Sequence, residues 1–335
     1  MKLRMAFMGF RHGHIYAIYE SKHPDFEIAG ACEEDAATRD ELKKSNRARI
    51  THDKFERMLD DLEFDILAVG DYYARRGEII IEALRRGKHV ISDKPICTRP
   101  GEIDEIRAIA AAKNLAVGCQ FDLRSEGIFL ALRELAAGGE LGEIHAVSFG
   151  GQHPMSLDSR PAWYFEEGKH GGTINDIAIH AFNLVPWLTG LKFKAVNAAR
   201  NWNARLKKVP RFRDAAQVMC TLENGAGVLG DVSYFSPDSF GYSLPMYWRV
   251  TLWGDGGVAE ATLSKLVLYR AGENTPREIP PHKPMRRFYL DSFLRAARAQ
   301  GAPGDITTAE VISSSRNTLL AQKAADENLH DLPLE

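Results

Sequence analysis

The stretch Gly87-Lys88-His89-Val90-Ile91-Ser92-Asp93-Lys94-Pro95 decides the fold. Residues 78–86 before it carry a helical pattern, and Gly87 sits where a helix stops, because glycine takes the left-handed conformation at little cost. Residues 89–92 are too few for a helix and read as a short strand. Asp93-Lys94-Pro95 then forms a turn stiffened by the proline. A helix running directly into a strand is half of a strand–helix–strand unit, so it predicts a parallel sheet covered by helices.

The pattern extends in both directions. Residues 3–8, 27–32, 65–70 and 115–118 are compact apolar runs and read as strands. Helices are expected over 14–22, from an Asp35 cap to Ser45, and over 100–114 with Pro100 in the first turn. Ligands of such sheets bind beyond the carboxyl ends of the strands. The positions to watch are therefore 9–14, Glu33, 71–76 and 93–95. The first turn reads Gly9-Phe10-Arg11-His12-Gly13-His14. The dinucleotide fingerprint places glycine at three positions, and only Gly9 is in register. Arg11 then reads as a charge contact to a phosphate. Glu33 ends the second strand, where an acid accepts from both ribose hydroxyls and repels a 2′-phosphate. This favours NAD, with NADP as the alternative.

The chain has 335 residues, 44% of them hydrophobic, and a formal net charge of -2. That is enough for two domains, expected at 1–121 and 122–335. Nucleic acid is not an expected partner, because no basic face is concentrated enough; residues 205–213 read as a solvated loop. Cys32, Cys97, Cys119 and Cys220 have no ligand or disulfide spacing, which fits a reducing compartment. Residues 1–8 read as a strand rather than a signal, and no run approaches the ~18 apolar residues of a membrane helix. A cytoplasmic protein is expected. No metal is expected either: His12 and His14 open a helix, where positions i and i+2 diverge. The second half holds short β-rich runs at 143–149, 215–222, 227–234, 248–253 and 265–269, with Asn224-Gly225 as a hairpin signal. Residues 288–300 and 308–328 read as helices that pack back on the first domain.

The 87–95 stretch closely resembles a signature of the glucose–fructose oxidoreductase/inositol dehydrogenase (Gfo/Idh/MocA) family, which usually has Glu-Lys-Pro where this chain has Asp93-Lys94-Pro95. The similarity continues through Arg124, Gly139-Glu140-Leu141-Gly142-Glu143-Ile144, Trp163, and Gly171-Gly172-Thr173-Ile174-Asn175-Asp176-Ile177-Ala178-Ile179-His180. It ends at Trp187-Leu188-Thr189-Gly190. The resemblance implies an α/β protein with a Rossmann-type domain and a C-terminal α/β domain. The second domain would carry a large, open, mostly antiparallel sheet that serves as a homodimer or homotetramer interface.

The resemblance also implies an NAD(P)-dependent dehydrogenase acting on the CH-OH group of a sugar, sugar acid or polyol. Lys94, Asp176 and His180 take the catalytic roles. Alcohol oxidation needs a base and a nearby positive charge, and an imidazole followed back one helical turn to a carboxylate supplies the first. Gly9, Phe10, Arg11, His12, Glu33, Asp71, Tyr72, Asp93 and Lys94 are expected at the cofactor. Tyr72 would stack on it and Asp71 would accept from a ribose. Arg124, Trp163, Lys169 and His170 are expected at the substrate. Three departures fall on the cofactor side: Arg11 for the second glycine, Asp71-Tyr72 for Thr-Pro, and Arg76 for a histidine. They keep two alternatives open: a glycoside-cleaving or lyase-type enzyme using tightly bound NAD transiently, or a non-catalytic nucleotide- or sugar-binding protein.

Overall fold

Strand and helix alternate through the first 120 residues of the computed structural model, which describes residues 2–334. The order is β1 (Leu3–Met8), α1 (Ile15–Tyr19), β2 (Phe26–Cys32), α2 (Ala36–Ser45), α3 (Phe55–Asp61), β3 (Ile66–Val69), α4 (Tyr73–Arg85), β4 (His89–Ser92), α5 (Pro100–Lys113) and β5 (Val117–Cys119). The five strands form one parallel sheet ordered β2-β1-β3-β4-β5. Met5 to Met8 and all of β3 are fully buried, as expected of strands covered on both faces. Because β2 and β3 lie on opposite sides of β1, the sheet has its switch point there. Such sheets bind ligands beyond the carboxyl ends of the strands at that crevice.

Two local features differ from expectation and both shape the site. Helix α1 begins only at Ile15, so residues 9–14 are a turn and not the opening of a helix. Helix α4 begins at Tyr73 and not near residue 78. Asp71 accepts from the Tyr72 N–H at 2.7 Å, and the Lys169 carbonyl takes the Ala74 N–H at 3.0 Å. These partners satisfy groups that the first turn of a helix leaves open. Arg76 therefore projects from a helix and not from a loop. Helix α3 has no counterpart in the sequence reading.

The rest of the chain runs α6 (Gly127–Ala137), β6 (Ile144–Pro154), one π-helical turn (Ile174–Ala178), α7 (Ile179–Thr189), β7 (Phe193–Trp202), β8 (Ala215–Leu222), β9 (Gly227–Ser236), β10 (Trp248–Gly254), β11 (Gly257–Thr262), β12 (Leu266–Arg270), β13 (Arg277–Ile279), α8 (Phe288–Ala297), α9 (Thr308–Glu327) and β14 (Leu332–Pro333). Its nine strands form an open sheet ordered β13-β12-β11-β10-β6-β9-β8-β7-β14. All neighbours are antiparallel except β6 and β9. One face is buried under α6 and α7, with Val147, Phe149, Val218, Val228, Val250 and Leu252 nearly inaccessible.

The molecule divides into two compact units. The first holds the stretch ending at Gln120 together with Pro161–Gly171 and Tyr289–Ile312. The second holds Phe121–Arg160, Gly172–Phe288 and the stretch from Ser313 on. Among the described residues, no helix is long and apolar enough to cross a membrane.

Candidate active site

In the first unit the site begins at the turn after β1. Gly9 has φ +81°, and a Cβ there would lie 2.6 Å from Asp71; only glycine suits it. Glu33, fully buried at the end of β2, accepts from the Phe10 N–H at 2.7 Å and the Asp35 N–H at 2.8 Å. Burial raises the pKa of its carboxyl, and those two hydrogen bonds oppose the rise. Each oxygen keeps a further lone pair for a ribose hydroxyl. Arg11 turns its guanidinium onto Asp71, 2.9 Å away, and sits 4.8 Å over the Tyr72 ring. Asp71 is also 3.4 Å from Arg75, so protein cations already surround the carboxylate expected to accept from a ribose. Burial raises its pKa against the pull of Arg11. Tyr72, expected to stack on the cofactor, lies between Arg11 and Lys169, the latter 5.2 Å from its centroid.

The Asp93-Lys94-Pro95 turn closes the other side. Arg76 is fully buried and organises it. Its Nη1 donates to the carbonyls of Asp93, Lys94 and Pro95 at 3.0, 2.8 and 3.0 Å. Its Nε donates to the Asp71 carbonyl at 2.7 Å and its Nη2 to Asp93 Oδ2 at 3.1 Å. One guanidinium thus fixes the backbone on both sides of Lys94. Burial alone would push the Asp93 carboxyl up, but His12, Arg76 and His14 outweigh it and hold the group well below the ordinary value. His12 donates from Nδ1 to Asp93, and burial lowers its pKa to about 4 against the pull of that carboxylate.

Residues 161–171 carry Trp163, Tyr164, Lys169 and His170 and belong to this same unit. Trp163 donates from Nε1 to the Arg11 carbonyl at 3.1 Å. The Tyr164 and Tyr73 hydroxyls are 2.6 Å apart, and Tyr73 is 3.2 Å from His12 Nε2. His170 packs against Tyr73 and Tyr164. Trp163, expected at the substrate, therefore packs on the turn expected at the cofactor, and Lys169 and His170 pack against Tyr72 and Tyr73. No motif marks Tyr73 and Tyr164, although the Tyr72-Tyr73 and Trp163-Tyr164 pairs are visible in the sequence.

The second unit resumes at Gly172, and the double glycine 171–172 leads the chain into the π-helical turn. Gly171 and Gly172 have φ +79° and +95°. Gln322 Oε1 accepts from the Ile174 and Asn175 N–H groups at 3.0 and 3.3 Å. Asp176 lies within this turn, fully buried, and accepts from the Tyr234 hydroxyl. His180 follows in α7, beside Phe121 and Trp248, with Nδ1 3.7 Å from the Asp122 carboxylate. The two residues were expected on one α-helix; the π-helical turn between them was not legible, and neither were Tyr234 and Asp122. Arg124 is buried, donates to the Asn183 carbonyl at 3.1 Å and lies 5.5 Å from the Trp187 centroid. These partners make it a brace for α7.

Comparison with known proteins agrees with this architecture. Residues 3–121 match an oxidoreductase family domain with an NAD-binding Rossmann fold, and residues 129–260 match the GFO/IDH/MocA C-terminal domain. A levoglucosan dehydrogenase of Pseudarthrobacter phenanthrenivorans is 26% identical over 52% of this chain and 45% of its own. An inositol 2-dehydrogenase of Leifsonia xyli is 28% identical over 50% and 46%. The chain thus spans about half the length of these curated relatives. An oxidoreductase structure from Thermotoga maritima superposes with a TM-score of 0.85 at 25% identity, covering 98% of this chain and 100% of the other. The first glycine and the acid ending β2 fit the dinucleotide, and Arg11 brings a cation to the place of the second glycine. With both of its domains matched in order, this chain belongs to the Gfo/Idh/MocA oxidoreductases and carries their NAD-binding Rossmann domain.

Proposed function

We propose that the protein is a dehydrogenase oxidising a secondary hydroxyl of a sugar, sugar acid or polyol, with Lys94, Asp176 and His180 as its catalytic residues. The observation that carries this reading is the setting of His180. It is nearly buried, packed between aromatic rings, with Nδ1 toward Asp122 and Asp176 one turn earlier. In this reading the His180 imidazole takes the hydroxyl proton through Nε2, with the Asp122 carboxylate 3.7 Å from Nδ1 to favour the imidazolium that forms. Asp176, itself held by Tyr234, accepts a substrate hydroxyl. Lys94 supplies positive charge to the developing alkoxide, and Arg76 fixes its backbone so that little reorganisation is needed. NAD, when bound, accepts the hydride. Glu33 favours NAD over NADP because its carboxylate repels a 2′-phosphate.

The assay is reduced-nicotinamide absorbance on incubating protein and NAD with hexoses, inositols and sugar acids. Turnover on one substrate class is expected. Lys94→Ala and His180→Ala should each lower kcat by about 100-fold or more, while fluorescence titration still detects NAD binding. Silence over the whole panel with cofactor demonstrably bound would overturn the reading. A second reading, bond cleavage with tightly held NAD, is favoured by the Trp163 bond to the Arg11 carbonyl, which closes residues 161–171 onto the turn. It predicts cofactor released on denaturing the purified protein, and cleavage without net reduction.

We also propose a homodimer or homotetramer formed through the nine-stranded sheet. Met219 pairs with Leu229, Leu229 with Ser148, Ser148 with Thr251, Trp253 with Val258 and Val258 with Tyr269. The register places all of them on the face away from α6 and α7. Met219, Leu229, Trp253 and Tyr269 are each about half exposed or more, an apolar patch that a second copy would bury.

A further inference from the structure

We propose that His12, His14 and Asp93 form a binding site for one divalent transition-metal ion of the zinc class. The site goes beyond the dehydrogenase reading and does not depend on it. The sequence argued against a metal here because positions i and i+2 of a helix diverge. The structure removes that objection, since α1 starts only at Ile15 and the two rings converge with centroids 4.6 Å apart. Each ring turns Nδ1 to the same carboxylate, and His14 Nδ1 lies 3.1 Å from Asp93 Oδ1.

One ligand atom from each of the three residues lies within 4.8 Å of the others. A point within about 2.8 Å of all three therefore exists, and side-chain shifts of under ~1 Å bring it to zinc bonding distances of ~2.0–2.2 Å. Two imidazoles and one carboxylate suit zinc, cobalt, manganese or ferrous iron. They do not suit calcium or magnesium, which take oxygen ligands.

The surroundings resemble the outer shell of a metal site. A ligating imidazole normally donates its other N–H to a fixed acceptor. For His12 that acceptor is Tyr73 Oη, 3.2 Å from Nε2, whose own proton passes to Tyr164 Oη at 2.6 Å. Metal binding at Nδ1 shifts the neutral His12 ring to its other tautomer with no net proton change. Arg76 Nη2 anchors Asp93 Oδ2 at 3.1 Å and leaves Oδ1 toward the ion. Its charge opposes the cation, so moderate affinity is expected. The His14 side chain is 45% exposed, which gives the ion an entry path and an open coordination position.

The test is calorimetric titration of the chelator-treated full-length protein with zinc chloride, with cobalt chloride as an optical probe. One saturable equivalent per chain is expected, with visible cobalt bands of a low-coordinate nitrogen–oxygen site. His14→Ala should weaken zinc binding by about tenfold or more. His145→Ala, which removes an exposed histidine paired with Asp255 in the other unit, should leave it unchanged. Absence of a saturable equivalent overturns the proposal, as does a His14→Ala variant that folds by circular dichroism and binds zinc like the wild type.

Discussion

Arg76 and Asp93 are the most informative residues of the chain. In the sequence they are two separate departures from the family pattern, a lost histidine and a shortened acid. In the structure they are one buried ion pair whose guanidinium also holds three carbonyls around Lys94. The coupling was not legible because α4 starts earlier than its apolar periodicity suggests. Arg76→His should destabilise the protein by about 3–5 kcal/mol, because it breaks a buried ion pair and leaves the buried carbonyls of Asp71, Asp93, Lys94 and Pro95 without their donor, while His12 and His14 still face Asp93. Adding Asp93→Glu, which restores the family's acid, should recover part of that loss, because contacting residues are not additive. Denaturant unfolding of both single variants and the double variant measures the coupling; strict additivity would show that the two residues do not act as a pair.

At the scale of elements, the strands were legible because their apolar runs are compact, whereas helix starts and the π-helical turn depend on partners far along the chain. Gln322, in α9, receives the N–H groups of Ile174 and Asn175. A Cβ on Gly172 would come within 2.2 Å of that amide, at φ +95°. Gly172→Ala should cost about 1–3 kcal/mol from backbone strain alone and displace Gln322. Combining it with Gln322→Ala should cost less than the sum of the two, as chemical denaturation would reveal. Strand β4 supplies a pH dependence. His89 Nδ1 accepts from the Ala116 N–H at 2.9 Å, and burial lowers its pKa against the pull of Asp65. Below about pH 6.5 the unfolded chain takes up a proton that the folded chain resists, so stability falls with pH in that window. His89→Asn keeps an acceptor but does not titrate. Its unfolding midpoint should fall less than that of the wild type between about pH 7.5 and about pH 5, and equal slopes would reject the assignment.

For the whole molecule, the sequence carried the parallel first sheet and the mostly antiparallel second one, because periodicity and family motifs point the same way. It did not carry the return of residues 161–171 to the first unit, since aromatic packing across so much intervening chain has no local signature. Nor could periodicity show which positions on the nine-stranded sheet stay apolar and exposed; that emerges from strand register. Leu229 is 61% exposed, the most exposed of the apolar row, and pairs with Met219 beside it. If that face joins two copies, Leu229→Asp buries a charge with no partner in the interface, a cost that typically reaches several kcal/mol. The variant should run as a monomer by light scattering after gel filtration at concentrations where the wild type is a dimer or tetramer. Its fold should be unchanged by circular dichroism, because the side chain points away from α6 and α7. An assembly of wild-type size in the variant would place the interface elsewhere.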